Sequence, residues 1–343
     1  MKLMKLMTCA ALAVACVAGI SGCGSSKDYS KPKVAEGTVL ALALQAPAKT
    51  PLAPLVEKYK LNDVKASLEK MPADAKEFFE KMGLDKIESK WLLVTIGGEI
   101  AEGKVPDVAL VAATTLDLDK FVAEFEKTEK SENKPEFKKT TIAGVSAYEV
   151  DSKKKDDVVP CVAALDGQLI IAASSAAAFE KQVALYREGK GESSDFSSFG
   201  LSGNDVLRIK AMKVGEVLKK ALGDNVAMLQ MVNGVIPDGD KIALGLTSVE
   251  IGLGASSDGK NAALDISVGT ASDADADKLR TVVKEQLAPI VEQFKDGADK
   301  SEQAKLSYEA LQSVKVAGEG AVAKLSAAAP AEPIFKLVSE MIK

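Results

Sequence analysis

The chain reads as an α+β protein of two related subdomains, each a mainly antiparallel sheet with helices packed on one face. Three observations carry that reading. Apolar runs of strand length, such as Trp91 to Ile96 and Asp107 to Thr114, alternate with segments whose apolar residues recur every three or four positions. Asp166-Gly167 and Asp258-Gly259 sit between such runs, as tight hairpin turns do. A plan of strand, helices, two strands, helix, strands and helix also occurs twice along the chain.

Taken in order, residues 39–44 form the first strand candidate, and helices are predicted over 52–59 and 62–82. Asn62 is read as an N-cap and Pro72 as a helix restart. After the strands at 91–96 and 107–114, one helix collects Leu118, Phe121, Val122 and Phe125 on one face. Three short strands fill 140–150 and 158–173, and a helix over 176–186 closes the first half. The Gly- and Ser-rich stretch Gly189 to Asn204 breaks the pattern and is read as the boundary.

The second half begins with a strand over 206–211 and helical stretches at 214–222 and 225–232. A hairpin follows, formed by 242–255 and 261–270. The helix after Ser272 carries Leu279, Val283, Leu287, Ile290, Val291 and Phe294 on its apolar stripe, and Pro289 is predicted to kink it. Strands at 313–317 and 321–325 turn through Gly318-Glu319-Gly320. The last helix, bearing Ile334, Phe335, Leu337 and Val338, is read as docking on the sheet.

Ser175-Ala176-Ala177-Ala178 precedes the closing helix of the first half and Ser326-Ala327-Ala328-Ala329 that of the second. Phe179 and Val183 then correspond to Phe335 and Val338. A diverged duplication accounts for these parallels. The layout resembles uncharacterised secreted bacterial proteins with a duplicated α+β unit, and the resemblance assigns no functional residue.

The N-terminus carries the one specific signal. Lys2 and Lys5 precede an almost unbroken run of small apolar residues from Leu6 to Ile20, closed by Ser21-Gly22-Cys23. A charged start, a short apolar core and small residues at the cut describe a secretory signal. Leu6 to Gly22 falls short of the roughly 20 residues of a membrane-spanning helix. The Cys directly after Gly22 resembles the bacterial lipobox, and chains of that kind are lipoproteins. The resemblance implies cleavage before Cys23, acylation of its thiol and attachment to the membrane through the acyl chains. Gly24 stands where an Asp would imply retention at the inner membrane, so the resemblance points to the outer membrane. The organisation expected is a signal peptide over 1–22, an acylated Cys and flexible tether over 23–37, a first subdomain over 38–190, a linker over 191–204 and a second subdomain over 205–343.

Composition narrows the chemistry. The formal charge is −5, and it becomes −7 once Lys2 and Lys5 leave with the signal. Arg187, Arg208 and Arg280 are the only arginines, no basic stripe is visible, and nucleic acid is not an expected partner. There is no histidine, which removes imidazole bases, Ser-His and Cys-His nucleophiles and imidazole metal ligands. Cys9 and Cys16 belong to the signal and Cys23 to the anchor, leaving Cys161 alone in an apolar strand, where it acts as a small hydrophobe.

Motifs that approach known chemistry fail at a required position. Asp273-Ala274-Asp275-Ala276-Asp277 opens like a calcium loop, but Lys278 and Lys284 stand where Gly and Glu are required, so Ser272 is read as a helix cap. Gly144-Val145-Ser146-Ala147-Tyr148 lacks the second Gly of a nucleophile elbow. Gly252-Leu253-Gly254 lies in a hairpin and lacks a third Gly. No cofactor is expected. Trp91 is read as core or subdomain interface, and Lys153-Lys154-Lys155-Asp156-Asp157 as a solvated tip.

The function expected is therefore non-catalytic: a membrane-anchored envelope lipoprotein that binds an envelope protein or the cell wall. A carrier or sensor of an apolar small ligand is the alternative, and a carboxylate-based hydrolase the third. An exposed apolar patch favours the first, an apolar cavity the second, and a cleft with two facing acids the third.

Overall fold

The computed structural model describes residues 29–61, 89–98, 106–128, 136–151 and 161–342. The signal, Cys23, the helix expected from Asn62 and the Lys153–Asp157 tip lie outside them. The fold is mixed α+β with antiparallel pairing throughout. In chain order, β1 (Thr38–Leu44) leads to α1 (Ala53–Lys58), β2 (Ser89–Gly97), β3 (Asp107–Thr114) and α2 (Leu118–Thr128). Then come β4 (Glu136–Ile142), β5 (Val145–Asp151), β6 (Cys161–Leu165), β7 (Leu169–Ala173) and α3 (Ala176–Glu188). The rest is β8 (Asp205–Met212), α4 (Val214–Leu222), α5 (Gly239–Leu244), β9 (Ser248–Ala255), β10 (Asn261–Gly269), α6 (Asp273–Lys295), α7 (Glu302–Gln312), β11 (Lys315–Ala317), β12 (Val322–Pro330) and α8 (Ala331–Ile342).

Two compact units result. Among the described residues, the first comprises 29–46, 61, 89–98, 106–128, 136–151 and 161–201, and the second 47–60 and 202–342. Strands of the first unit lie in the order β1-β2-β3-β7-β6-β5-β4, and those of the second in the order β8-β9-β10-β12-β11. Matched strand for strand, β8, β9, β10, β12 and β11 occupy the places of β1, β2, β3, β7 and β6. The β4–β5 hairpin is extra to the first unit. Its neighbour hairpin, β6–β7, turns at Asp166 and Gly167, both at positive φ (51° and 65°), the conformation that an Asp-Gly pair adopts readily.

In the first unit, helices cover both sheet faces, not one. Ile170 pairs with Ala112 while Ile171 pairs with Val111, and Trp91 pairs with Ala113. Successive side chains point to opposite faces, so Trp91, Val111 and Ile171 share one side and Ala112 and Ile170 the other. On the Ile170 side sit Leu118 and Val122 of α2. On the Trp91 side, Tyr186 of α3 stacks on the indole with ring centroids 6.2 Å apart. Consecutive strand residues are consequently buried, as at Leu92 and Leu93 and from Val111 to Ala113.

The tether expected over 23–37 is corrected from Tyr29 onward, because that stretch is packed. Tyr29, Val34 and Ala35 are buried. The Tyr29 hydroxyl donates to Asp166 Oδ2 at 2.7 Å, and the Lys33 N–H donates to Tyr186 Oη at 2.9 Å. The linker expected over 191–204 is also part of the first unit as far as Leu201. Glu36 N–H donates to the Gly191 carbonyl and Ser193 N–H to that of Val34. Phe196 and Phe199, buried and edge to face at 5.9 Å, hold the stretch down. Polar composition concealed the few apolar anchors in both segments. Residues 47–60, assigned by sequence to the first subdomain, belong to the second unit: Leu52, just before α1, packs with Ala255 and Ala331.

Two local expectations also change. Residues 239–244 are helical where a strand was read from 242. Ser326 lies inside β12, paired with Asp265 through a nine-residue ladder to β10, and is not a helix start. Alanine has a poor strand propensity, but each residue of the Ala327–Ala329 run is paired with β10, and the Ala328 N–H donates to Ser313 Oγ at 2.7 Å. Ser175 does cap α3, accepting from Ala178 N–H at 3.1 Å.

Candidate binding surface

The residues singled out for chemistry resolve into structural roles. Cys161 is 1% exposed in β6, and burial, reinforced by Glu149, pushes its thiol above the usual range. Ser272 caps α6, accepting from Asp275 N–H at 3.2 Å, so the acids after it sit at the positive end of the helix. Gly144 lies in the turn between β4 and β5. At Gly254 an added Cβ would stand 2.2 Å from the Asn204 carbonyl, so the glycine allows close backbone approach and no phosphate loop. Trp91 is 2% exposed and donates from Nε1 to the Tyr29 carbonyl at 2.9 Å, which places it in the core.

Among the described residues, no group of three or more His, Cys, Asp or Glu is placed to hold a metal. Asp205 and Glu250 approach one another only through Arg208, which bonds Glu250 Oε1 from Nε at 2.9 Å and Asp205 Oδ2 from Nη1 at 3.3 Å. The described carboxylates whose pKa moves all move down: Asp119 by hydrogen bonding from Tyr148, Glu188 from Lys190, Asp238 from Lys278, Asp258 from Ser256 and Glu332 from Lys58. A general acid at neutral pH needs the opposite shift.

The second unit holds the feature that sequence reasoning missed. Leu207 pairs with Leu253 and Ile209 with Ile251, while Leu264 and Ile266 face Leu253 and Ile251 from β10. These six side chains share one sheet face. The other face carries Arg208, Glu250, Asp265 and Lys324. At one end of the apolar face, Phe335 of α8 and Leu55 of α1 pack around Ala255. Toward the middle the cover is incomplete: Leu207, Ile209, Ile251, Leu264 and Ile266 are half-buried, and Leu253 is 41% exposed. Strand alternation alone could have revealed that face, but not that its cover is partial.

Beside it, α6 is fixed to β12 by Arg280, whose Nη1 donates to the Val322 carbonyl at 2.6 Å. The apolar stripe of α6 is divided: Leu279, Val283, Leu287 and Val291 are half-buried, whereas Ile290 and Phe294 are exposed. Between α6 and the junction of α7 with β11 runs an open groove of about 770 Å³. Leu287, Ala288, Val291, Leu311, Val314 and Val316 line it, with Lys284 and Gln312 as its polar members. In the same unit, Met228, Met231 and Val235 are more than 60% exposed along the 3-10 helical stretch Gly223–Gly234 and just after it. No described helix is long and apolar enough to cross a membrane. No family model, curated protein or solved structure matches the chain.

Proposed function

We propose that this protein is a bacterial envelope lipoprotein, anchored in the outer membrane through acyl chains on Cys23, whose second unit has a binding role and no catalytic one. The observation that carries the binding role is the half-open apolar face of the β8–β10 sheet. A sheet face left to water is ordinarily polar, and a contiguous apolar surface marks a site of contact. The absence of histidine, the buried Cys161 thiol and the downward carboxylate shifts support the non-catalytic side. The partner class is an envelope protein or the cell wall. The matching strand orders support descent of both units from one ancestral α+β unit, making them related subdomains.

The burial of Tyr29 bears on the anchor. Six residue steps separate Cys23 from Tyr29, a span of about 21 Å at full extension. An acyl group on Cys23 therefore holds the first unit at the bilayer surface.

Two experiments test these readings. Feeding cells an alkyne-tagged fatty acid labels the wild-type chain and leaves Cys23→Ser unlabelled; label retained on the variant removes the anchor. A photo-crosslinking residue at Leu253, on the apolar face, yields discrete adducts in intact cells, whereas one at Asp265, on the polar face, does not. Equal adducts at both positions remove the binding face. A second reading, a carrier of an apolar small ligand, is favoured by the open groove along α6, whose lining is apolar apart from Lys284 and Gln312.

A further inference from the structure

We propose that the groove between α6 and the α7–β11 junction binds a single-chain amphiphile with an anionic head, a long-chain carboxylate. The proposal rests on the small-ligand reading of the groove and names its ligand. Small-molecule sites combine a mostly apolar wall with a few polar groups that fix orientation. This groove has that composition, with Leu287, Val291, Leu311, Val314 and Val316 along its length and Lys284 and Gln312 as its polar groups.

Charge selects the head group. No carboxylate lines the groove among the described residues, although acids outnumber bases in the chain by 49 to 44. Neighbouring lysines on the helices of this unit are engaged: Lys278 with Asp238, Lys295 with Glu292 and Lys305 with Glu309. Among the described residues, Lys284 makes no such pair. Gln312 donates its Nε2 to the Tyr308 hydroxyl at 2.6 Å, which leaves its carbonyl oxygen to accept and its second N–H to donate. An ammonium and an amide on the wall of an otherwise apolar trough suit a carboxylate head with its hydrocarbon laid along Val291 and Val314. A neutral head forfeits the Lys284 charge. A two-chain lipid, with one cation and one trough to meet it, leaves a chain in water.

The test uses the purified, delipidated full chain and a fluorescent long-chain polyene carboxylate, displaced by oleate or by oleyl alcohol. Saturable binding at one site per chain is expected, with oleate displacing the probe about two- to fivefold more effectively than the alcohol, the value of one exposed ion pair. Lys284→Gln removes that preference and keeps the alcohol's affinity. Val291→Asp and Ala288→Trp, one adding a charge and the other filling the trough from an exposed helix position, each weaken the probe at least tenfold. Circular dichroism confirms that each variant is folded, and the two block the groove by independent means. Absence of saturable binding, wild-type affinity in both blocking variants, or an oleate preference that survives Lys284→Gln overturns the proposal. Selective retention of a two-chain phospholipid overturns the single-chain assignment. A chain that binds oleate and gives no envelope crosslink at Leu253 keeps this site and loses the protein-partner reading.

Discussion

The indole N–H of Trp91 donates to the main-chain carbonyl of Tyr29 at 2.9 Å, joining the segment before β1 to β2. Tyr186 stacks on the same indole and exchanges hydrogen bonds with Lys33, accepting from its N–H at 2.9 Å and donating to its carbonyl at 3.1 Å. A segment of polar composition is thus held by one ring on each side of its turn. Trp91→Phe keeps an aromatic ring but leaves the Tyr29 carbonyl buried and without its donor, a loss of about 1–3 kcal/mol. The expected fall in melting temperature is roughly 2–10 °C, read by thermal denaturation. An unchanged melt argues that residues 29–37 do not belong to the cooperative unit.

Three serines that look alike in sequence should respond differently to alanine. Ser175 and Ser272 cap α3 and α6 through their side chains, and each substitution should cost about 1 kcal/mol. Ser326 sits mid-strand in β12 with no cap to lose, so Ser326→Ala should stay within about 0.5 kcal/mol. Urea denaturation midpoints of the three variants measure this, and an equal loss at Ser326 would return it to a helix start.

Cys161 should be inert while the chain is folded. Its thiol is buried and its pKa raised, so little thiolate is present or reachable at neutral pH. Iodoacetamide applied to native protein should leave the Cys161 peptide unmodified by mass spectrometry, and full labelling should appear in denaturant. Rapid labelling of native protein would show that β6 is accessible.

Alkaline pH should loosen the first unit. Burial holds the phenols of Tyr186 and Tyr29 above their ordinary value of 10.0, with Asp166 adding to the effect at Tyr29. The folded state therefore keeps protons that the unfolded chain releases. This contribution is complete below pH 10 and declines as pH rises above it toward the folded pKa values. Denaturation midpoints measured between about pH 8 and pH 11 should fall, and the fall should be shallower in Tyr186→Phe. A slope unaffected by that substitution would remove Tyr186 as a contributor.

The sequence by itself determined the class of the fold, the positions of most strands and helices, the hairpin turns at Asp166 and Asp258, the helix start at Ser175, the cap at Ser272, and the burial of Cys161 and Trp91. Each depends on residues close together in the chain: a period of two, a period of 3.6, or a side chain reaching its own backbone. Tertiary structure decided the rest. Tyr29, Phe196 and Phe199 are lone apolar residues in polar strings, and only the surfaces that receive them turn tether and linker into packed chain. The Ala327–Ala329 run is strand because it lies within nine consecutive pairs between β12 and β10, which outweighs the run's own preference. Helices on both faces of the first sheet, and partial cover on one face of the second, follow from where crossover helices land. Alternation within a strand shows which residues share a face; what covers that face is set by chain distant in sequence, because burial belongs to the assembled layers.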